Sequence, residues 1–152
     1  MPTMKAFVLV DAAPTLALHD IAIPDVPAEH VRVRLEAAAL NRRDVWISEG
    51  KYAAIVYPAV LGSDGAGTID MVGEGVASSL LNSHVVINPS LHWGDDPRVQ
   101  SAQFEVLGMP SQGTFAEYIV VPASACFPVP AHLTMAQAAA VPLAGLTAYR
   151  AV

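Results

Sequence analysis

Apolar and charged positions alternate through much of the chain. In residues 30–36, His-Val-Arg-Val-Arg-Leu-Glu, the alternation has the period of a β-strand with one buried and one solvated face. Residues 66–72, 84–88 and 114–121 give further strands, and Pro122 closes the last one. The chain contains 12 prolines and 10 glycines, which separate these short runs. The pattern therefore predicts a mainly β fold with short helices, a compact barrel or sandwich rather than a parallel α/β sheet.

Two short helical segments interrupt the strands. Residues 42–49 place Val45 and Trp46 near one face and end at Gly50, a residue type that often terminates helices. The second segment starts at Thr134, where Thr-Met-Ala-Gln is a capping-box sequence that leads into alanines.

The last part of the chain is also helical in pattern. Pro142 interrupts the second helix, and a new apolar run begins at Leu143 and continues to Val152 without a cap or a polar last turn. We therefore expect residues 143–152 to associate with, or pack against, another surface. Two explanations remain possible: this segment forms a homodimer interface, or it continues into the rest of a longer parent protein.

Composition narrows the classes of partner. The chain has 152 residues, 53% of them apolar and 14% charged, which suits one domain with a substantial core. Its net charge is −6, and its 8 Lys and Arg residues are scattered, so we expect no nucleic-acid partner. Because no apolar run is long enough for a membrane span or a signal peptide, a cytoplasmic protein without membrane contact is predicted. Cys126 is the single cysteine, and we interpret it as a small apolar filler.

One glycine-rich stretch invites a dinucleotide-binding interpretation. Residues 72–78, Val-Gly-Glu-Gly-Val-Ala-Ser, approach the G-x-G-x-x-G/A fingerprint, which works only where a strand turns into a helix. Another strand follows at His84, which leaves no room for such a helix. We therefore predict a turn here.

Five stretches together resemble the medium-chain dehydrogenase/reductase family. They are Leu-Asn-Arg-Arg-Asp at 40–44, Pro-Ala-Val-Leu-Gly-Ser-Asp-Gly-Ala-Gly at 58–67, and residues 72–76, 113–118 and 142–149, in the order and spacing of that family. The resemblance implies a GroES-like catalytic domain, a partly open β-barrel, at residues 1–133. Residues 134–152 would then be the helical lead-in to a nucleotide-binding domain that this chain lacks.

The resemblance also implies where metal ligands would stand. The catalytic zinc ligands of the zinc alcohol dehydrogenases in this family would fall on Asn41, Ser63 and Leu143, with the adjoining acidic residue on Asp64. An amide, a hydroxyl and an alkyl chain do not form the thiolate, imidazole or carboxylate set that zinc prefers. The structural-zinc lobe would correspond to about residues 91–112, which contain no cysteine. We therefore predict no metal.

What remains resembles the zinc-free branch, the quinone oxidoreductases and enoyl-type reductases. That resemblance implies an NADPH-dependent transfer of hydride to a quinone, an enal or an enone, in which hydrogen-bond donors stabilise charge on the carbonyl oxygen. Asn41, Tyr52 and Ser63 are the predicted catalytic residues and would face a common pocket.

Further contacts follow from the same resemblance. Trp46 and Asp64 would line the substrate pocket, while Asn41 and Thr147 would contact the cofactor. The cofactor would be bound mainly by the Rossmann domain of the parent protein, so the chain alone is expected to be inactive or nearly so.

Each of these residues also has a structural explanation. Asn41 caps the helix that follows it, Asp44 pairs with backbone or an arginine, and Ser63 is a turn residue. Trp46 and Tyr52 are core aromatics on that view. Two other functions stay open: an interaction module of the GroES-like type without catalysis, and the domain of a zinc-dependent alcohol dehydrogenase.

Overall fold

The computed structural model describes residues 2–12 and 15–152. Within those ranges the chain forms ten β-strands and three α-helices, so the mainly β fold with short helices is confirmed. The strands are β1 (Thr3–Leu9), β2 (Leu16–Ala22), β3 (His30–Ala39), β4 (Ala59–Val60), β5 (Asp64–Val72), β6 (His84–Ile87), β7 (Ser90–Leu91), β8 (Glu105–Val106), β9 (Tyr118–Pro122) and β10 (Cys126–Pro128). The helices are α1 (Arg42–Ser48), α2 (Met135–Ala139) and α3 (Pro142–Ala151).

Three sheets build the described part of the molecule. The largest has the strand order β10-β6-β5-β3-β9, the second has the order β2-β1-β4, and β7 pairs with β8. Residues 115–117 join the two larger sheets, because Phe115 accepts a hydrogen bond from the Phe7 N–H and Glu117 accepts one from the Leu35 N–H. This arrangement agrees with the partly open barrel predicted for the fold.

The alternation in β3 positions the main core. Val31 and Val33 are fully buried and pack with Ile69 of β5. Arg32, between the two valines, points to the other face and forms two hydrogen bonds of 2.9 Å with the Asp70 carboxylate. Since side chains alternate across a strand, the same residues that build the core also fix which charges face outward.

The two predicted helix ends are present. Residues 42–48 form α1, and Gly50 follows with a φ of 69°, which glycine adopts at little cost. Thr134 caps α2 in a capping box with Gln137, and Ala138 and Ala139 pack against Ala66. Pro142 is the first residue of α3 rather than a break before it, a position where proline's missing N–H costs nothing.

The strand predicted at 114–121 is wrong in its first half. Thr114 is fully buried, and its hydroxyl donates to the Asp64 carbonyl oxygen at 2.8 Å instead of facing one side of a regular sheet. Gly113 explains why the chain is irregular here. A Cβ atom at this position would lie 2.2 Å from the Gly62 carbonyl oxygen, so two loops meet closely where no side chain fits.

The turn predicted at residues 72–78 is confirmed. The strand β5 ends at Val72, Gly75 has a φ of 84°, and a short 3₁₀ turn at Ser78–Leu80 leads into β6. None of the helices in the described part of the chain has the length and apolar character that a membrane crossing requires.

Replacing Ile69 should show how much the main core contributes to the free energy of unfolding. Ile69 is fully buried in β5, whereas Met71 on the same strand is 43% exposed. We expect Ile69→Ala to lower the free energy of unfolding by about 3 kcal/mol, because the loss of buried surface leaves a cavity. Met71→Ala should change it by less than about 1 kcal/mol. Urea denaturation of both variants checks this, and similar losses in the two would contradict the assigned core.

Candidate functional site

The site is built around the first turn of α1 and the turn at Gly62. Asp44 is buried in that first turn, where its carboxylate accepts the Asn41 N–H at 2.8 Å and the Gly62 N–H at 3.2 Å. Burial raises the pKa of Asp44, while the two backbone hydrogen bonds and Arg43 lower it by less. Asp44 therefore fixes the helix start against the Gly62 turn, in agreement with the structural role weighed for it.

Asp64 joins three separate segments. Its carboxylate accepts the side-chain amide of Asn41 at 2.9 Å and the Leu143 N–H at 2.9 Å, and the residue is 1% exposed. Burial is the main cause of its raised pKa; the two hydrogen bonds oppose the rise, and the nearby Asp44 adds to it. The start of β5, the residue before α1 and the first turn of α3 thus meet at one carboxylate.

Arg43 holds a second polar cluster on the other side of the Gly62 turn. Its guanidinium donates to Ser63 Oγ at 2.7 Å, to the Leu107 carbonyl oxygen at 2.6 Å and to the Met109 carbonyl oxygen at 3.1 Å. The same group lies 5.4 Å from the centre of the Tyr52 ring. Residues 91–112, which correspond to the structural-zinc lobe of the zinc alcohol dehydrogenases, are therefore held in part by an arginine.

Our sequence reasoning missed Arg43. One signal could have found it: a cation in the first turn of a helix is unfavourable, because the unpaired N–H groups there carry partial positive charge. Arg43 occupies that turn. In the structure, three acceptors from outside α1 bind its guanidinium, whereas Arg42 in the same turn is exposed to solvent.

The three predicted catalytic residues fall into two groups. Asn41 belongs to the Asp64 cluster, whereas Ser63 and Tyr52 both contact Arg43. Ser63 is completely buried, and its hydroxyl donates to the Leu107 carbonyl oxygen at 2.7 Å. A substrate cannot touch this hydroxyl in the described arrangement, which places Ser63 behind Arg43 instead of in a common pocket with Asn41.

The aromatic residues predicted near the site are exposed. Trp46 is 45% exposed and lies beside the Arg42 guanidinium, 5.9 Å from the ring centre, and Tyr52 is 37% exposed. Neither is a core aromatic. Asn41 occupies the N-cap position of α1 in a capping box with Asp44, and its side-chain amide donates to Asp64.

A cavity of about 540 Å³ adjoins the Asp64 cluster. Leu143 lines the cavity and also donates its N–H to Asp64, so this one residue connects the two. Thr147, the predicted cofactor contact, lines the same cavity one helical turn further along α3. The remaining lining residues are Asn88, Ser90, Trp93, Phe104, Val106, Leu146, Arg150 and Ala151.

The donor atoms at this site do not suit zinc. Asn41 presents an amide that is bonded to Asp64, Ser63 presents a buried hydroxyl, and Leu143 has an alkyl side chain. Over residues 2–12 and 15–152, no three or more His, Cys, Asp or Glu side chains are grouped so that they could hold a metal ion. His92 lies 4.0 Å from the Glu105 carboxylate and takes part in no larger group of this kind within those ranges.

Residues 27–131 match the alcohol dehydrogenase GroES-like domain family. The chain belongs to this family, since the match covers well over half of it. The predicted resemblance to the medium-chain dehydrogenase/reductase superfamily, with a GroES-like domain, is confirmed.

Individual relatives are considerably longer than this chain. A zinc-type alcohol dehydrogenase-like protein of Schizosaccharomyces pombe is 38% identical over 120 residues, which is 78% of this chain and 35% of the yeast protein. The crystal structure of an NAD-dependent alcohol dehydrogenase superposes with a TM-score of 0.89 at 39% identity, covering 97% of this chain and 46% of that one. A cobalt- and zinc-bound thermostable alcohol dehydrogenase from Pyrobaculum aerophilum gives a TM-score of 0.86 at 27% identity, with coverage of 99% and 48%. The chain thus spans less than half the length of these proteins.

Arg43 and its neighbour Arg42 offer a matched test of the second cluster. Arg43→Met should lower the free energy of unfolding by about 3 kcal/mol, because buried acceptors lose a charged donor. Arg42 is exposed, so Arg42→Met should change it by less than about 1 kcal/mol. Thermal and urea unfolding of the pair would check this; equal, small losses would show that the Arg43 hydrogen bonds do not stabilise the fold.

The raised pKa of Asp64 predicts a pH dependence. Its stabilising contribution is fully present below the ordinary value of 3.8 and is lost as the pH rises through the folded-state pKa. We therefore expect the free energy of unfolding of the wild type, relative to that of Asp64→Asn, to fall as the pH rises from 3.8 through the raised pKa of Asp64 in the folded state. Urea unfolding at a series of pH values measures this difference. A difference that stays constant or rises with pH would contradict the burial-driven shift.

Proposed function

We propose that this chain is the catalytic, GroES-like domain of an NADPH-dependent oxidoreductase that transfers hydride to a quinone, an enal or an enone without catalytic zinc. The observation that carries the proposal is the hydrogen-bonded set of Asn41, Asp64 and the Leu143 N–H, at the place where the resemblance puts the ligands of zinc. In this proposal, hydrogen bonding performs the carbonyl polarisation that a metal ion would otherwise supply.

Asn41 is the proposed donor to substrate. A side-chain amide carries two N–H donors, and the Asp64 carboxylate uses one of them. The second can donate to a carbonyl oxygen on which negative charge develops during reduction. The hydrogen bond to Asp64 also orients the amide and polarises it, which strengthens the remaining N–H as a donor.

Tyr52 is the second proposed donor. Its ring lies beside the Arg43 guanidinium, and the residue is 37% exposed. Ser63 is a positioning residue in this proposal, because it accepts a hydrogen bond from Arg43 and donates one to Leu107. Trp46 would supply an aromatic wall on the exposed side of α1.

The cofactor would be held mainly by a nucleotide-binding domain that follows residues 134–152 in the parent protein. Bound NADPH would supply the hydride that reduces the substrate carbon. Thr147 fits a contact with it, because its side chain is exposed on α3 and lines the cavity beside Leu143. Its hydroxyl hydrogen is donated to the Leu143 carbonyl oxygen at 2.7 Å, which leaves the oxygen as an acceptor for an amide of the cofactor.

Two alternatives are separated from this proposal by simple measurements. Stoichiometric zinc in the purified protein would support the zinc-dependent alcohol dehydrogenase instead, against the chemistry of the donor atoms. A protein that carries both domains and reduces no quinone, enal or enone with NADPH or NADH would support the interaction module.

Asn41→Ala tests the proposed donor. In the protein that joins this chain to its nucleotide-binding domain, we expect kcat to fall about 100-fold, the usual effect of losing one donor to a developing oxyanion. Asp20→Asn, which removes half of an exposed ion pair with Lys5 on β1 and β2, should leave kcat unchanged. NADPH consumption at saturating substrate measures both variants, after urea unfolding has shown that they are folded. An Asn41→Ala enzyme with wild-type kcat would remove Asn41 from the mechanism.

A further inference from the structure

We propose that the cavity beside α3 binds planar aromatic carbonyl compounds that carry a carboxylate, and that Arg150 binds that carboxylate. This inference rests on the proposed function, because it extends the proposed substrates of the same site from quinones, enals and enones to aromatic aldehydes and ketones that carry a carboxylate. It depends on three features: a fixed aromatic wall, a fixed cation beside that wall, and the spacing along α3 between that cation and Leu143, which is hydrogen-bonded to Asp64.

The aromatic wall consists of Trp93 and Phe104. Their ring centres are 5.1 Å apart, and their planes meet at 78° in an edge-to-face arrangement. The indole N–H of Trp93 donates to the Asp96 carbonyl oxygen at 3.1 Å, so the polar edge of the ring is already satisfied. A wall held in this way loses little conformational entropy when a planar ring packs against it.

Arg150 provides the cation. Its guanidinium carbon lies 4.2 Å from the centre of the Trp93 ring, and Nη2 donates to the Pro97 carbonyl oxygen at 3.0 Å. In the part of the chain that the structure describes, Arg150 forms no salt bridge with a carboxylate. A guanidinium has five N–H donors in a planar fork, so the contact with Pro97 leaves donors for a ligand.

The spacing along α3 sets the length of the ligand. Leu143 and Arg150 both line the cavity and lie seven residues apart, about 10 Å along the helix axis. Leu143 also donates its N–H to Asp64, the carboxylate that accepts the Asn41 amide. We therefore propose a ligand of about this size, one benzene ring with a carbonyl group and a carboxylate in para positions.

The walls between these ends are mostly apolar. Val106, Leu143 and Leu146 line the cavity together with the aromatic pair, which favours a hydrophobic ring over a sugar or an aliphatic polyol. The cofactor is a competing occupant of this cavity, because its nicotinamide ring and phosphate combine a planar ring with an anionic group, as an aromatic carboxylate does. We assign the part of the cavity at Trp93 and Arg150 to the substrate, and keep Thr147 as the proposed cofactor contact. The reason is that Leu143, which lines the cavity, is hydrogen-bonded to the same Asp64 carboxylate as Asn41.

Trp93 allows the binding to be measured without turnover. The chain has two tryptophans, so Trp46→Phe leaves Trp93 as the single indole fluorophore and keeps an aromatic ring at position 46, which the proposed function places in the substrate pocket. We would titrate the 152-residue Trp46→Phe chain with 4-formylbenzoate, with neutral 4-methylbenzaldehyde, and with nicotinamide mononucleotide, and follow Trp93 emission. Calorimetry on the wild-type chain gives the affinities independently.

The expected result is saturable quenching by 4-formylbenzoate and weaker binding of the neutral aldehyde. Arg150→Gln should weaken 4-formylbenzoate binding about tenfold or more, since a charge-assisted hydrogen bond is lost, and should change binding of the neutral aldehyde less than about twofold. Arg150→Lys, which keeps the charge without the planar fork, should lie between the wild type and Arg150→Gln.

Three outcomes would overturn the proposal. If Arg150→Gln weakens the binding of both aldehydes equally, then Arg150 only holds α3 against Pro97 through its hydrogen bond. Arg150-dependent binding of nicotinamide mononucleotide, without binding of 4-formylbenzoate, would assign the cavity to the cofactor. Equal affinity of the wild-type chain for the charged and the neutral aldehyde would remove the anion site, even if the Arg150 variants did not fold. None of these outcomes affects the Asn41→Ala test, so failure of this inference is distinguishable from failure of the proposed function.

Discussion

The buried carboxylate of Asp64 is the interaction on which the site depends. It comes from the first residue of β5 and holds the Asn41 amide on one oxygen and the Leu143 N–H on the other. A carboxylate at 1% exposure is tolerable only if hydrogen bonds replace its lost water. Its two hydrogen bonds therefore tie the residue before α1 and the first turn of α3 to the start of β5.

Arg43 places a charge of opposite sign in the neighbouring cluster. Residues 91–112 contain no cysteine that could bind a structural zinc. The segment at 105–109 is instead held by the Arg43 guanidinium, which donates to the carbonyl oxygens of Leu107 and Met109. A guanidinium can join several carbonyl groups in one plane, a task for which a lysine has the wrong shape. Hydrogen bonds from one residue of α1 therefore hold this segment.

Local sequence rules predicted the elements well, and the side-chain partners poorly. The alternation in β3, the capping box at Thr134 and Gly50 after α1 act within a few residues, so the sequence alone indicates them. The hydrogen bond from Leu143 to Asp64 spans 79 positions in the chain, and that from Arg43 to Leu107 spans 64. Such contacts depend on how strands and loops meet in three dimensions. For the same reason, the sequence analysis placed Ser63 in a pocket with Asn41. The structure shows a buried hydroxyl that accepts a hydrogen bond from Arg43, an arrangement that depends on the packing.

The contact between Asn41 and Asp64 also limits the routes by which this site can evolve. A first step toward a thiolate at position 41 would take a hydrogen-bond donor away from a carboxylate in the interior. A first step toward an imidazole at position 63 would have to displace the guanidinium that fills the adjoining space. Each change alone lowers stability, and only several made together could form a new set of ligands. The hydrogen bonds of Asn41 and Ser63 therefore oppose the single substitutions that would introduce a zinc ligand at either position.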